Sequence, residues 1–479
     1  MKSHIRAFVD DYLGEIIEGS AAIFAGAGLS VPAGYVDWRE LIRPLSEELG
    51  LNIQLENDLV ALAQFHVNAS GANRHKLHKA VIEAIAADNP PTENHKLLAK
   101  LPIQTWWTTN YDRLIENSLR AAGKVVDVKS AVPQLATTRP RRDATVYKMH
   151  GDVDRPDEAV ATRDDFERYP KERGAFVNAL AGDLVSKTFL FLGFSFTDPN
   201  LEHVLTRVRL TFANNQRRHY AVFRTRTRLA EESEADFEHF KLRQTFVIDD
   251  LRRFGVRVLT VDDYAEITEF LRELVDRYKR RTVFVSASSV DFGGWSEKEV
   301  DEFIQTLGRS LVAKGTRIAS GLGVGIGDSL LSGALREVLK NNRTVDEALI
   351  LRPFPQAVQG EDTAELWERY RQEILSHAGI AIFLFGTKDV DGALALSDGM
   401  RREFEIARSQ GVAVLPVGGT GGMAEVLALD AQQDPEAIVP ELGNDGRKII
   451  EGLQRRPESP SELIEPLLQA IQFLQGGKK

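Results

Sequence analysis

Two α/β domains, each a mostly parallel sheet flanked by helices, are predicted by three features of the 479-residue chain. The length exceeds what a single hydrophobic core organises. Short apolar runs rich in branched and aromatic residues alternate with helical patterns, the signature of buried parallel strands joined by crossover helices. The alternation then restarts near residue 282, where a new strand pattern leads into a second glycine-rich turn, GLGVGIG.

In the first half, strands are expected at residues 21–25, 103–109, 125–128, 145–149, 188–193, 219–223 and 256–261. A helical block at about 57–101 separates the first two. Within it, Leu77, Val81 and Ile85 repeat every four residues and so share one helix face. The cluster Asn89-Pro90-Pro91-Thr92 divides the block into two helices. The second half offers strands at 282–286, 317–320, 348–352, 380–385 and 412–417, and a closing amphipathic helix carrying Leu463, Leu467, Ile471 and Leu474. The boundary is set at about 275–281, giving domains 1–280 and 281–479. No internal repeat or low-complexity tract interrupts either half.

Composition narrows the function classes. A net charge of −10 opposes broad contact with a phosphate backbone, so no nucleic-acid partner is expected, and Arg141-Arg142 and Arg217-Arg218 read as solvated surface. The chain has no cysteine, which excludes disulfides, thiol catalysis and cysteine-ligated zinc. Histidine and carboxylate residues show no metal-ligand spacing, so no metal is expected. The N-terminus reaches acidic residues before any long apolar run, and the most apolar stretch, residues 188–196, is too short to span a bilayer. A cytoplasmic protein without membrane contact is expected.

Four motifs in the first half each follow a predicted strand: GAGLS (Gly26 to Ser30), TTNYD (Thr108 to Asp112), KMHG (Lys148 to Gly151) and GFSFTDPN (Gly193 to Asn200). Ligands of open parallel sheets bind at the carboxyl ends of strands, so the four can line one cleft. Singly, each has a plain structural reading. GAG is a tight strand–helix turn, Asn110 a helix cap, His150 a structural histidine, and Ser195 and Asp198 turn formers ahead of Pro199. As chemistry, a GAG turn lets backbone approach a pyrophosphate. An imidazole, with an ordinary pKa of about 6.5, suits proton abstraction near neutrality, and a side-chain amide positions water without adding charge.

Taken together, these four motifs resemble the sirtuin family, over roughly residues 10 to 265. The resemblance implies that Gly26, Ala27, Gly28 and Ser30 lie along the phosphates and ribose of NAD⁺. It places Asn110 and Asp112 at the nicotinamide ribose, makes His150 the general base, and sets Gly193 and Ser195 at the adenosine side. The chain departs from sirtuin deacylases in lacking the four-cysteine zinc module, in reading VPAGYVDWRE after GAGLS, and in carrying Thr109 in place of glutamine. Hydrolysis of NAD⁺ is therefore expected over protein deacylation.

In the second half, Gly321, Gly323, Gly325 and Gly327 alternate between a strand and a small-residue helix, a pattern suited to close approach of a phosphate. Ser288 is expected beside them, with Arg371, Lys388 and Glu403 around the same sheet edge. PVGGTGG, residues 416–422, is a further phosphate-cradle candidate. This half resembles the SLOG superfamily of Rossmann-like nucleotide binders. The phosphoribohydrolase motif of that superfamily is scrambled here, although Glu425 remains, which points to ligand sensing. The fusion as a whole resembles the NAD⁺-hydrolysing effectors of Thoeris anti-phage systems. That resemblance implies activation by a cyclic ADP-ribose isomer made by a TIR-domain protein, and a homotetramer or larger assembly. A deacylase and a non-catalytic NAD⁺ or ADP-ribose sensor are the alternatives.

Overall fold

The computed structural model describes residues 1–85, 87–212, 215–230, 232–353, 363–433 and 443–476. The chain forms two compact units, 1–275 and 276–479. No helix among the described residues is long and apolar enough to cross a membrane.

The first unit is built on seven strands: Ala21–Ala25 (β1), Thr105–Thr108 (β2), Val126–Lys129 (β3), Ala144–Lys148 (β4), Thr188–Leu192 (β5), His219–Arg224 (β6) and Val256–Val261 (β7). All pair in parallel, in the order β3-β4-β2-β1-β5-β6-β7. Strands β1, β2 and β5 are buried at every position. That is why they read as continuous apolar runs, with helices covering both faces. Phe24, Trp107, Phe176, Phe189 and Phe191 fill one face of this sheet. Because β1 lies between β2 and β5, the chain leaves β1 at the point where strand order reverses, and the loops after β4, β2, β1 and β5 sit side by side.

The connection from β1 to β2 departs from the sequence expectation. It holds Trp38–Glu48, ahead of the expected block, and three helices inside it, Leu59–Ala69, His75–Ile85 and Glu93–Lys100. The additional break comes at Gly71 and Ala72, both with left-handed φ. The added first helix is opened by Asp37, whose carboxylate accepts from the Glu40 amide.

The second unit has a parallel sheet of Thr282–Ser288 (β8), Arg317–Ser320 (β9), Leu349–Leu351 (β10), Ile380–Phe385 (β11) and Ala413–Pro416 (β14), ordered β10-β9-β8-β11-β14. Between β11 and β14 stands an antiparallel hairpin, Thr387–Val390 (β12) and Ala393–Leu396 (β13), that the sequence reading did not contain. Its two-residue turn is Asp391-Gly392, both with positive φ, the pairing favoured by hairpin turns. The final helix, Ile464–Leu474, packs Leu467, Leu468, Ile471 and Leu474 into this unit's core. Each such side chain contributes roughly 1.5–3 kcal/mol of burial, so the helix is part of the fold.

Candidate functional site

The four motifs of the first unit emerge from the carboxyl ends of four adjacent strands, and two of them are locked together through glycine. The Gly26 amide donates to Leu192 O and the Gly28 amide to Gly193 O, both at 2.9 Å. A Cβ on Gly26 would lie 2.4 Å from Gly193 O, and one on Gly193, at φ +63°, would lie 2.2 Å from the Leu29 nitrogen. Two strand-end loops thus touch backbone to backbone, which only glycine permits. The amides of Gly26 and Gly28 are engaged inside the protein, so these glycines serve loop-to-loop contact first. Ala27 opens a four-residue helix that ends at Ser30.

Asn110 is buried, and its side chain turns back toward β1. Its Nδ2 donates to Gly26 O at 3.0 Å and to Ser30 Oγ at 3.1 Å. Ser30 Oγ in turn donates to Asp112 Oδ2 at 2.7 Å, and Asp112 Oδ1 accepts from the Leu114 amide at 2.9 Å. Asp112, just ahead of the N-cap Arg113, thus holds the first amide of helix Leu114–Ala121, and Asn110 is left to face the glycine loop.

Beneath this turn lies Lys148, fully buried at the end of β4. Its Nζ donates to the carbonyls of Tyr111 at 3.0 Å and Asp112 at 2.6 Å, and pairs with Asp152 Oδ2 at 2.6 Å and Glu116 Oε1 at 3.1 Å. Burial alone would push this ammonium's pKa down, but Glu116 and Asp152 more than offset that and hold it above its ordinary value. Lys148 pins the TTNYD turn to the KMHG turn. The sequence signal was present, since a lysine closing an otherwise apolar buried strand demands partners.

His150 follows at once. Its ring meets Phe166 and Tyr169 edge-on, with centroids 5.4 and 6.5 Å away. Nε2 lies 2.9 Å from Asp198 Oδ2, in ion-pair range but off the line of a ring N–H hydrogen bond. Burial would raise the Asp198 carboxyl, but His150 and the amides of Leu201 and Asn200 hold it below the usual carboxylate range. Elsewhere in this unit, His95 and His219 are pushed down to about 4 by burial, which keeps them neutral. Ser195 is exposed, and its hydroxyl shares a hydrogen bond with that of Thr197 at 2.8 Å. Asp198, a turn former by sequence, is the residue of GFSFTDPN that reaches the histidine. Among the described residues no group of three or more His, Asp or Glu side chains is placed to hold a metal ion.

The second unit holds a cavity of about 440 Å³ at the carboxyl ends of β8 and β9. Ser288, Gly321, Gly323, Arg371, Lys388 and Glu403 all line it. Gly325 does not; a Cβ there would lie 2.3 Å from Ser289 O, so it packs on the turn beside the cavity. Glu403 is buried on the cavity wall, accepting from Ser286 Oγ at 2.5 Å, with Arg371 Nε 3.8 Å away. Burial pushes its carboxyl up to about 7, against the lowering by Ser286 and Arg371. Lys388 pairs with Asp398 at the base of the hairpin. Trp367 and Thr387, not singled out by sequence, also line the cavity.

The PVGGTGG loop is filled from within. Gln454 accepts from the Gly418 amide at 3.1 Å and donates to Pro416 O at 3.1 Å, and a Cβ on Gly419 would lie 2.4 Å from Arg455 O. The protein's own chain occupies the expected phosphate cradle, and Glu425 is exposed on the following helix. This corrects the expectation of a further phosphate site there.

Comparison with known proteins agrees with both halves. Residues 104–243 match the SIR2-like domain model, and residues 266–474 match the Sir2- and TIR-associating SLOG family. A protein of Bacillus cereus named NAD(+) hydrolase ThsA is 43% identical over 475 residues, 99% of each chain. A protein of the same name from Acinetobacter baumannii is 42% identical, covering 98% of this chain and 99% of its own, and one from Enterococcus faecium is 44% identical, covering 86% and 87%. With full-length similarity at this level and both domain models in the expected order, the chain belongs to the ThsA family.

Proposed function

We propose that this chain hydrolyses NAD⁺ to nicotinamide and ADP-ribose in its first unit, and that a cyclic ADP-ribose isomer held in the second unit's cavity activates it. The observation that carries the catalytic reading is the buried relay of Asn110, Ser30 and Asp112 at the strand-order reversal, with His150 on the neighbouring strand end. The names of the relatives supply the substrate.

In this reading the bond between ribose C1′ and the nicotinamide nitrogen breaks with its electron pair passing to nicotinamide. The leaving group departs neutral and needs no acid. Water attacks C1′ and gives its proton to His150, which releases it to solvent. Asn110, held by Ser30 and Gly26, fixes the water or a ribose hydroxyl. Pre-positioning accounts for much of such a rate gain, and a general base contributes about 10²–10⁴-fold. With no cysteine to build a zinc module, an acyl-lysine channel of the sirtuin kind has no basis here.

For the switch, moving an enzyme from about 1% to 99% active requires a ligand to favour the active state by about 5.5 kcal/mol. Charge-assisted phosphate bonds contribute roughly 1.5–3 kcal/mol each. Arg371 and Lys388 supply the cations, although each already faces a carboxylate, so a pyrophosphate competes with Asp398 and is helped when Glu403 is neutral. In the cell, the reading extends to a cytoplasmic homotetramer or larger assembly that depletes NAD⁺ during phage infection, after a TIR-domain protein has made the activating nucleotide.

The test is direct. Purified protein is incubated with NAD⁺, with and without cyclic ADP-ribose isomers, and nicotinamide and ADP-ribose are resolved by chromatography. Asn110→Ala and His150→Ala should abolish turnover, whereas Arg371→Ala and Glu403→Ala should lose only the ligand response. NAD⁺ left intact in every condition, or consumed only with an acylated peptide, overturns the reading.

A further inference from the structure

We propose that Asp198 is a positioning residue of the hydrolytic reaction. It orients the His150 imidazole by holding Nε2 within ion-pair range of its carboxylate, which leaves Nδ1 to accept a proton from the attacking water. The proposal rests on the reading of His150 as the base.

Asp198 stands beyond β5, with β1 and β2 between that strand and β4, and yet its Oδ2 comes within 2.9 Å of His150 Nε2. Its two oxygens have separate tasks. Oδ1 accepts from the Leu201 amide at 2.9 Å, at the start of helix Pro199–Phe212, and so serves as the cap of that helix. A cap needs only one acceptor, which leaves the oxygen on the histidine unexplained by local structure. An almost fully buried carboxylate is costly unless compensated. Here the compensation is the amide of the cap, the positive end of a fourteen-residue helix and the imidazole itself. The result is a carboxylate held ionised beside His150.

The other groups around the ring are neutral or turned away. Phe166 and Tyr169 contact it edge-on from helix Arg163–Glu172, and the Tyr169 hydroxyl donates to Met149 O at 3.1 Å. Burial pushes the Tyr169 phenol, and that of nearby Tyr111, well above the ordinary value. The Arg173 guanidinium, following the same helix, is spent on backbone carbonyls, those of Ser130 and Glu158 at 2.9 and 2.8 Å and that of Met149 at 3.4 Å. Among the described residues, Asp198 is thus the charged group in ion-pair range of the imidazole. A carboxylate on one ring nitrogen fixes the tautomer and favours the imidazolium formed when the other nitrogen takes a proton. In the step itself, water's oxygen bonds C1′, the glycosidic electron pair leaves with nicotinamide, and the water proton moves to Nδ1 and then to solvent.

The experiment measures NAD⁺ turnover of the full-length protein across pH, with and without cyclic ADP-ribose, for wild type, Asp198→Asn, Asp198→Glu, His150→Ala and the double variant His150→Ala/Asp198→Asn. Asparagine retains an acceptor for the Leu201 amide, so the thermal midpoint of Asp198→Asn should stay near wild type. Its kcat should fall by about tenfold or more, short of the 10²–10⁴-fold loss expected when a base is removed, with KM little changed. The acid limb of kcat should move to lower pH, because the charge favouring the imidazolium is gone. Asp198→Glu should keep the wild-type acid limb, and the double variant should be no slower than His150→Ala. A structural cap alone would leave the acid limb in place.

An Asp198→Asn protein with wild-type kcat and an unmoved acid limb overturns the proposal, and leaves the catalytic reading intact as long as His150→Ala is inactive. An active His150→Ala removes that reading as well. Faster turnover by Asp198→Asn shows the contact to be restraining, which also overturns the proposal. Should Asp198→Asn fail to fold, an Asp198→Glu protein with a shifted acid limb does the same.

Discussion

Ser30 donates its hydroxyl hydrogen to Asp112 Oδ2 at 2.7 Å while accepting from the amide of Asn110 at 3.1 Å. One small side chain on the loop after β1 thereby orients the key amide on the loop after β2. The bond is buried and charge-assisted, a class that contributes roughly 1.5–3 kcal/mol.

Ser30→Ala should therefore reduce kcat for NAD⁺ by about ten- to a hundredfold, the equivalent of that range, with a smaller change in KM. Ser30→Thr, which keeps the hydroxyl, should retain much of the activity. Equal losses in both variants would mean that shape at this position matters and the relay does not.

The contact between the β1 and β5 loops makes a sharp comparison possible. Gly193→Ala introduces a Cβ 2.2 Å from a backbone nitrogen at a left-handed φ, whereas Gly182, in helix Gly174–Ser186, has no atom within 4 Å of such a Cβ. Thermal unfolding should show Gly193→Ala destabilised by several kcal/mol or not folded at all, and Gly182→Ala neutral or stabilised by about 0.5–1 kcal/mol.

Lys148 tests the buried charge cluster. Lys148→Met leaves Glu116 and Asp152 buried without their cation, a change that typically costs about 3–5 kcal/mol. The triple change Lys148→Met/Glu116→Gln/Asp152→Asn should recover part of that stability in denaturant unfolding. It should not recover activity, because the carbonyls of Tyr111 and Asp112 still lack their donor.

Glu403 predicts a pH dependence confined to the second unit. Its carboxyl is raised from an ordinary 4.5 to about 7 by burial. The folded state therefore binds the proton more tightly than the unfolded state. The associated stability is fully present below about pH 4.5 and is lost as pH rises through about 7. Glu403→Gln should flatten this slope in thermal unfolding scans between those limits and raise stability at pH 8 relative to wild type. A slope unchanged in the variant would place the titrating group elsewhere.

The sequence by itself determined the class of the fold and most of its strands, because buried parallel strands must be continuous apolar runs and their crossover helices must carry a one-sided stripe. β1, β7, β9 and β11 lie where the apolar runs begin and end. The hairpin was equally legible in its Asp391-Gly392 turn, and was missed because its strands are short and mostly exposed. The sequence also singled out Asn110 and His150, since strand ends followed by polar residues and glycine are where a parallel sheet opens to ligand. Only the tertiary structure decided which long-range partners those residues have. Asp198 lies 48 positions from His150, Lys148 reaches Glu116 32 positions back, and Gln454 fills a loop 36 positions before it. Such partnerships follow from strand order and from which side chains share a desolvated space, and no local pattern along the chain encodes that.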